Sequence, residues 1–144
     1  MDGEHIRNGR VVKMRKMLVV TMVLIAFLIS AAGAEEKFGV KVYPGAKYND
    51  AETKWHKAQF QFETAANYRT TDSSAKVSDF YKKYPGIKGG KPLGKVIYFH
   101  VTDAAKKETV EIQVMPSIDA ATGKEIKGST SILIVKRRMY QGVD

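Results

Sequence analysis

The segment 71–84, reading Thr-Asp-Ser-Ser-Ala-Lys-Val-Ser-Asp-Phe-Tyr-Lys-Lys-Tyr, limits the possible folds of this chain more than any other stretch. Val77, Phe80, Tyr81 and Tyr84 recur at i, i+3, i+4 and i+7, which places them on one face of a helix. Lys76, Asp79, Lys82 and Lys83 fall mainly elsewhere, towards water. Asp72 or Ser73 is the expected N-cap, because a short side-chain oxygen accepts from an orphan backbone N–H of the first turn. Pro85 disfavours helix at Tyr84, and Gly86 supplies the positive φ that a turn after a helix often needs. A single amphipathic helix must cover a surface, and the remaining pattern is that of strands.

From 55 to 66 the residues alternate. Ala58, Phe60, Phe62 and Thr64 face one way, and Lys57, Gln59, Gln61 and Glu63 the other, which predicts a half-buried strand. After the helix, 82–95 reads as a loop rich in Gly, Pro and Lys. Three β-forming runs finish the chain at 96–101, 109–115 and 130–135, with turns at 103–106 and 119–124. Val40 and Val42 fit a short edge segment, and Asn49-Asp50 marks a loop. Tyr43-Pro44-Gly45 and Tyr84-Pro85-Gly86 use the same turn chemistry twice. The expected fold is α+β and two-layered: one main amphipathic helix on a mainly antiparallel sheet of four to five strands, after an N-terminal signal helix. Phe60, Phe62, Phe99, Ile112 and Ile134 belong to the expected inner layer, facing Val77, Phe80, Tyr81 and Tyr84.

The first 34 residues read as an address. Arg7, Arg10, Lys13, Arg15 and Lys16 precede an apolar run over 17–29. Ala32-Gly33-Ala34 then offers the small-x-small pattern of a signal-peptidase site, so Ala32 and Ala34 are the expected cleavage residues and Glu35 the first mature one. Met14 is an alternative start, and an uncleaved membrane anchor is the alternative reading of the run. Cleavage leaves 35–144, enough for one domain with one core.

The formal net charge of +9 divides unevenly. The leader holds five basic and two acidic residues, leaving 19 and 13, or +6, in the mature part. These charges are scattered, so a solvated lysine-rich surface is expected rather than a nucleic-acid site. Membrane contact is expected only through an uncleaved leader. There is no cysteine. That excludes disulfides, a lipid-anchored N terminus, c-type haem attachment, thiolate zinc or iron–sulfur sites, and a thiol nucleophile. No cofactor is expected.

Val42-Tyr43-Pro44-Gly45-Ala46, then Tyr68-x-Thr70-x-Asp72-Ser73, Lys76-Val77 and Phe80-Tyr81-Lys82, carry a resemblance. The chain resembles a loose group of small exported bacterial proteins with a YPGA turn, a strand and a T-x-D-S-x-x-K-V-x-x-F-Y-K helix. The resemblance covers about the first half of the mature domain. It implies export and an α+β fold, and brings no activity or catalytic residues.

Candidate chemistry is sparse. His56 and His100 lack a third metal ligand at diagnostic spacing, and no metal site is expected. None of the mature serines sits in a G-x-S-x-G or S-x-x-K arrangement, and Asp103 with Glu108 is explained equally by a solvated turn. Lys88, Lys91 and Lys95 in the glycine-rich loop are candidate anion ligands without the order of a P-loop. The richest surface is the sheet face turned away from the helix, where Trp55, Tyr98, His100, Met115 and Leu133 are expected to stand open. The expectation is an exported, non-catalytic binding module, meeting a protein partner or a second copy of itself through that face. The alternatives are a carrier holding a small amphipathic ligand between helix and sheet, and an unrecognised hydrolase.

Overall fold

The computed structural model describes residues 35–61 and 64–139. The leader with its expected signal helix and cleavage residues, Phe62, Glu63 and the tail 140–144 lie outside the described residues. In chain order the elements are β1 (Glu36–Lys37), β2 (Val40–Lys41), β3 (Lys47–Tyr48), α1 (Asp50–Phe60), β4 (Ala65–Thr70) and α2 (Ser74–Lys82). They continue with β5 (Lys88–Leu93), β6 (Val96–Asp103), β7 (Glu108–Ile118) and β8 (Glu125–Arg138). The fold is α+β. A six-stranded sheet runs β3-β4-β8-β7-β6-β5, antiparallel at every pairing, and β1 pairs with β2 separately.

The meander β6-β7-β8 forms as expected, turning at Asp103 to Lys107 and again beside Asp119. Asp119 Oδ1 accepts from the N–H groups of Ala121 and Thr122 and from the Thr122 hydroxyl, which sets the second turn. Both YPG turns also close. Ala46 N donates to Tyr43 O and Ile87 N to Tyr84 O, with Gly45 and Gly86 near φ +80°.

The helix expected over 71–84 occupies Ser74–Lys82. Ser73 is its N-cap, its hydroxyl accepting from Lys76 N. Asp72 has a different task, taking hydrogen bonds from the Tyr43 hydroxyl at 2.6 Å and from Lys76 Nζ at 3.0 Å. Val77 and Tyr81 are fully buried against Phe99, Ile112, Ile132 and Ile134, with Val40, Val42 and Tyr43 closing the same core. Each such large apolar side chain contributes about 1.5–3 kcal/mol when taken from water. The helix joins β4 to β5 at the opposite edge of the sheet, crossing beneath β8, β7 and β6.

The main sheet has six strands rather than the four to five expected, and three further expectations are overturned. The alternating stretch from 55 is not a strand: residues through Phe60 belong to α1, and the strand begins at Ala65. Asn49 caps α1, its Oδ1 accepting from Glu52 N at 2.9 Å, and Asp50 and Glu52 sit favourably at the positive end of the helix dipole. Ala, Lys, Glu and Gln dominate the segment and have good helix propensity. Phe60 is accordingly 57% exposed rather than part of the inner layer. The second correction concerns the glycine-lysine loop, whose central part is the edge strand β5 with a bulge at Gly89 to Lys91. The third concerns layering. α1 packs on β4, on the face opposite α2, so the sheet lies between two helices instead of under one.

Candidate functional site

Strand register fixes the composition of the face carrying α1. Alternation brings Asn67, Leu133, Gln113, Tyr98 and Lys91 into one cross-strand row. The next row runs Ala65, Val135, Glu111, His100, Lys88. Above the first lie Arg69, Ser131 and Met115, level with Val96 and Leu93. α1 packs on β4, and its Glu52 reaches Ser131 on β8. The members on β7, β6 and β5 remain outside its cover among the described residues.

Glu52, Thr53 and His56 are the residues of α1 that reach down to the sheet, and all three are buried. Thr53 Oγ1 accepts from Asn67 N at 2.8 Å. Glu52 accepts from Arg69 Nη2 at 2.9 Å and from Ile118 N at 3.2 Å. His56 is 3% exposed, with Nε2 at 3.9 Å from Glu52 and its ring stacked on Phe60 at 6.0 Å. Burial pushes the Glu52 carboxyl up, but the His56 ring, the Arg69 guanidinium, the Ile118 N–H and the Ser131 hydroxyl together outweigh it and hold the group below its ordinary value. Asn67 Nδ2 donates to Ser131 Oγ at 2.5 Å, extending the cluster to β8. This is a polar clamp that fixes α1 over one half of the face. Glu52, Thr53, His56, Asn67 and Ser131 are buried in it, and Arg69 is partly exposed.

The sequence missed this clamp, although Asn49-x-x-Glu52 is the spacing of a capping box and was there to be read as a helix start. Arg69, Asn67 and Ser131 carry no local signal, because register alone unites them.

The predicted site residues separate into two groups. Tyr98 is half-buried and His100 exposed on the same face, and Met115, also half-buried, packs against the buried cluster of Ala65, Leu133 and Val135. Leu133 is a correction: it is 0% exposed, clustered with Ala65 and Val135 on the sheet face opposite α2. Trp55 is a correction of a different kind. It stands on α1 rather than on a strand, half-buried, with its ring edge-on to His56 at 5.0 Å and to Phe60 at 6.3 Å.

Lys88, Lys91 and Lys95 are spread over the edge strand β5 and the turn that follows it. Lys95 lies in the β5–β6 turn and is paired with Glu125 at 2.6 Å. Lys88 and Lys91 lie on the edge strand beside His100 and Tyr98, so they border the uncovered face. A lysine- and proline-bearing edge is also poorly suited to further strand pairing. Glu111, in the middle of this face, is engaged by Gln113 Nε2 and lies 3.8 Å from Arg137.

Elsewhere, a shallow cavity of about 300 Å³ opens at the start of α2, lined in part by Asp72, Ser74, Glu125 and Thr130. Among the described residues there is no group of three metal-ligating side chains, and no helix is long and apolar enough to cross a membrane. No known protein family, no curated protein and no solved structure matches this chain.

Proposed function

We propose that this chain is an exported, non-catalytic binding module that meets a macromolecular partner through the uncovered half of the α1-bearing sheet face. The observation that carries the reading is the half-covered face itself. α1 is clamped over β4 and β8, while Tyr98, His100 and Met115 stand beside it, bordered by Lys88 and Lys91. Aromatic and methionine side chains at an accessible sheet surface suit a partner interface, and flanking lysines suit a rim. Export rests on the basic-then-apolar leader ending in Ala32-Gly33-Ala34, together with the resemblance to small exported proteins.

The carrier alternative draws no support from the space between α2 and the sheet, which Tyr81 and Phe99 fill with ring centroids 5.8 Å apart. The hydrolase alternative is weakened because Asp103 is engaged by Lys106 and Glu108 by Lys136. A photo-crosslinking amino acid at position 98, introduced in the native host, tests the binding reading. Adducts formed at 98 but not at 124, in the remote β7–β8 turn, support it; equal yields at both positions refute it. The mass of the same protein from the envelope fraction tests export, with a chain beginning at Glu35 as the expected result.

A further inference from the structure

The positive charge of residues 35–144 is not spread evenly. Residues 76–95 carry six lysines against the single Asp79, a net +5, whereas 35–75 are neutral and 96–144 carry only +1. The fold turns this run into a surface at one edge of the sheet. Lys82 and Lys83 end α2, the turn from Tyr84 to Ile87 reverses the chain, and β5 brings back Lys88 and Lys91 along the edge. The Lys82 stem lies over β5, its Cε 3.4 Å from where a Cβ on Gly90 would stand. Lys88 and Lys91 register with His100 and Tyr98, so they project on the face opposite α2. The edge is therefore basic from both sides.

All four lysines are exposed. Lys82 has Asp79 at 3.7 Å, and Lys83, Lys88 and Lys91 form no ion pair among the described residues. Beside them Leu93 is 72% exposed, more than any other large apolar side chain among the described residues. Lysines and a proline on β5 would by themselves serve to block further strand pairing. That role needs neither Lys82 and Lys83 on α2 nor a protruding leucine.

We propose that this edge rests on an anionic lipid bilayer, with the four lysines against lipid phosphates and Leu93 entering the interfacial layer. A lysine near such a surface strengthens attachment by about fivefold. A soluble polyanion would engage the lysines but offer Leu93 nothing to enter, so the leucine favours lipid. The proposal does not rest on the binding reading given above. Lys88 and Lys91 border both surfaces, but Lys82 and Lys83 belong to the edge alone.

The chain has no cysteine, so one introduced residue carries an environment-sensitive fluorophore at a single position. Leu93→Cys and, on the opposite edge strand β3, Lys47→Cys are labelled in the full chain and titrated with vesicles. The vesicles are phosphatidylcholine alone or mixed with phosphatidylglycerol. The expected result is a blue shift at 93, none at 47, and only with phosphatidylglycerol present. Adding Lys83→Glu and Lys91→Glu to the labelled Leu93→Cys chain should raise the lipid concentration for half the shift by at least about twentyfold. Lys47→Glu with Lys57→Glu, the same change in net charge on β3 and α1, should move it little. Far-UV circular dichroism checks that each variant keeps the fold. Attachment through the leader alone would be indifferent to Lys83 and Lys91, so indifference overturns the proposal. No shift at 93, equal shifts at 93 and 47, or equal losses from the two charge-reversed pairs overturn it too. An equal shift with dextran sulfate in place of vesicles would mean that the edge reads charge alone, and the lipid occupant fails.

Discussion

Glu52 shows how one side chain can hold a helix in place. It is wholly buried and ionised, and it persists because Arg69 and the Ile118 N–H answer both carboxylate oxygens. Removing one partner of such a pair leaves an uncompensated charge, which typically costs about 3–5 kcal/mol. Arg69 is partly in solvent, so Arg69→Met is expected near the lower end of that range by urea denaturation at neutral pH. Adding Glu52→Gln to Arg69→Met should recover part of the loss, since the orphaned charge then disappears. The pH dependence has a definite sign. The Glu52 carboxyl lies below its ordinary 4.5 in the folded protein, so its stabilisation is complete above that value and fades as the pH falls through the lower folded-state value. Arg69→Met removes one of the interactions holding it down, so the acid-unfolding midpoint should move to higher pH. An unchanged midpoint would mean that Glu52 does not clamp α1. A second residue-scale contact joins Tyr43 to Asp72. Burial and then the Asp72 carboxylate push the Tyr43 hydroxyl up to about 12, while Tyr43 and Lys76 lower the Asp72 carboxyl. Tyr43→Phe should cost about 0.5–1.5 kcal/mol and raise the Asp72 pKa in an NMR titration.

Between elements, the informative contrast is α1 against α2. Both have a side-chain N-cap, but only α2 carries an apolar stripe, and periodicity therefore finds α2 and misses α1. The alternation across 57–64 is real in the sequence and misleading in the fold, because the apolar members Ala58 and Phe60 do not enter the sheet core. A helix whose buried side is polar gives no hydrophobic signal; its evidence is confined to Asn49, the acidic first turn and its helix-forming composition. Asn49→Ala should accordingly cost about 1 kcal/mol, and hydrogen exchange should quicken in α1 rather than in α2. The edge strand β5 was hidden for another reason. Gly89 and Gly90 read as loop residues, yet their freedom serves a bulge pressed onto β6. At φ +111°, a Cβ on Gly89 would strike the Tyr98 carbonyl oxygen. Gly89→Ala is expected to lose at least about 1–3 kcal/mol and to free the β5 amides for exchange. Thermal stability equal to wild type would contradict that placement.

At the scale of the molecule, the sheet is buried on both faces along β4 from Ala65 to Tyr68 and along β8 from Thr130 to Val135. The sequence carried this in a form that the two-layer expectation set aside. Ile132-Leu133-Ile134-Val135 is an unbroken apolar run, and such runs mark strands covered on both faces, whereas alternation marks those covered on one. The neighbouring β7 does alternate, with Val110, Ile112 and Val114 buried and Glu111, Gln113 and Met115 only partly so. The order of strands was not legible, because β4 joins β8 across about half of residues 35–144 and no local pattern encodes that pairing. These burials predict a specific symmetry of mutational cost. Ile132 and Ile134 lie under α2, Leu133 and Val135 on the face of α1, and all are essentially inaccessible. Leu133→Ala should therefore cost about 2–5 kcal/mol, the same range as Ile132→Ala, since each leaves a cavity between a helix and the sheet. Met115→Ala, at a half-buried position packed beside Leu133, should cost less. Urea denaturation of the three variants makes the comparison. If Leu133→Ala cost only a few tenths of a kcal/mol, as surface substitutions commonly do, α1 would not seal that half of the face. The surface assigned to a partner would then extend across the whole sheet.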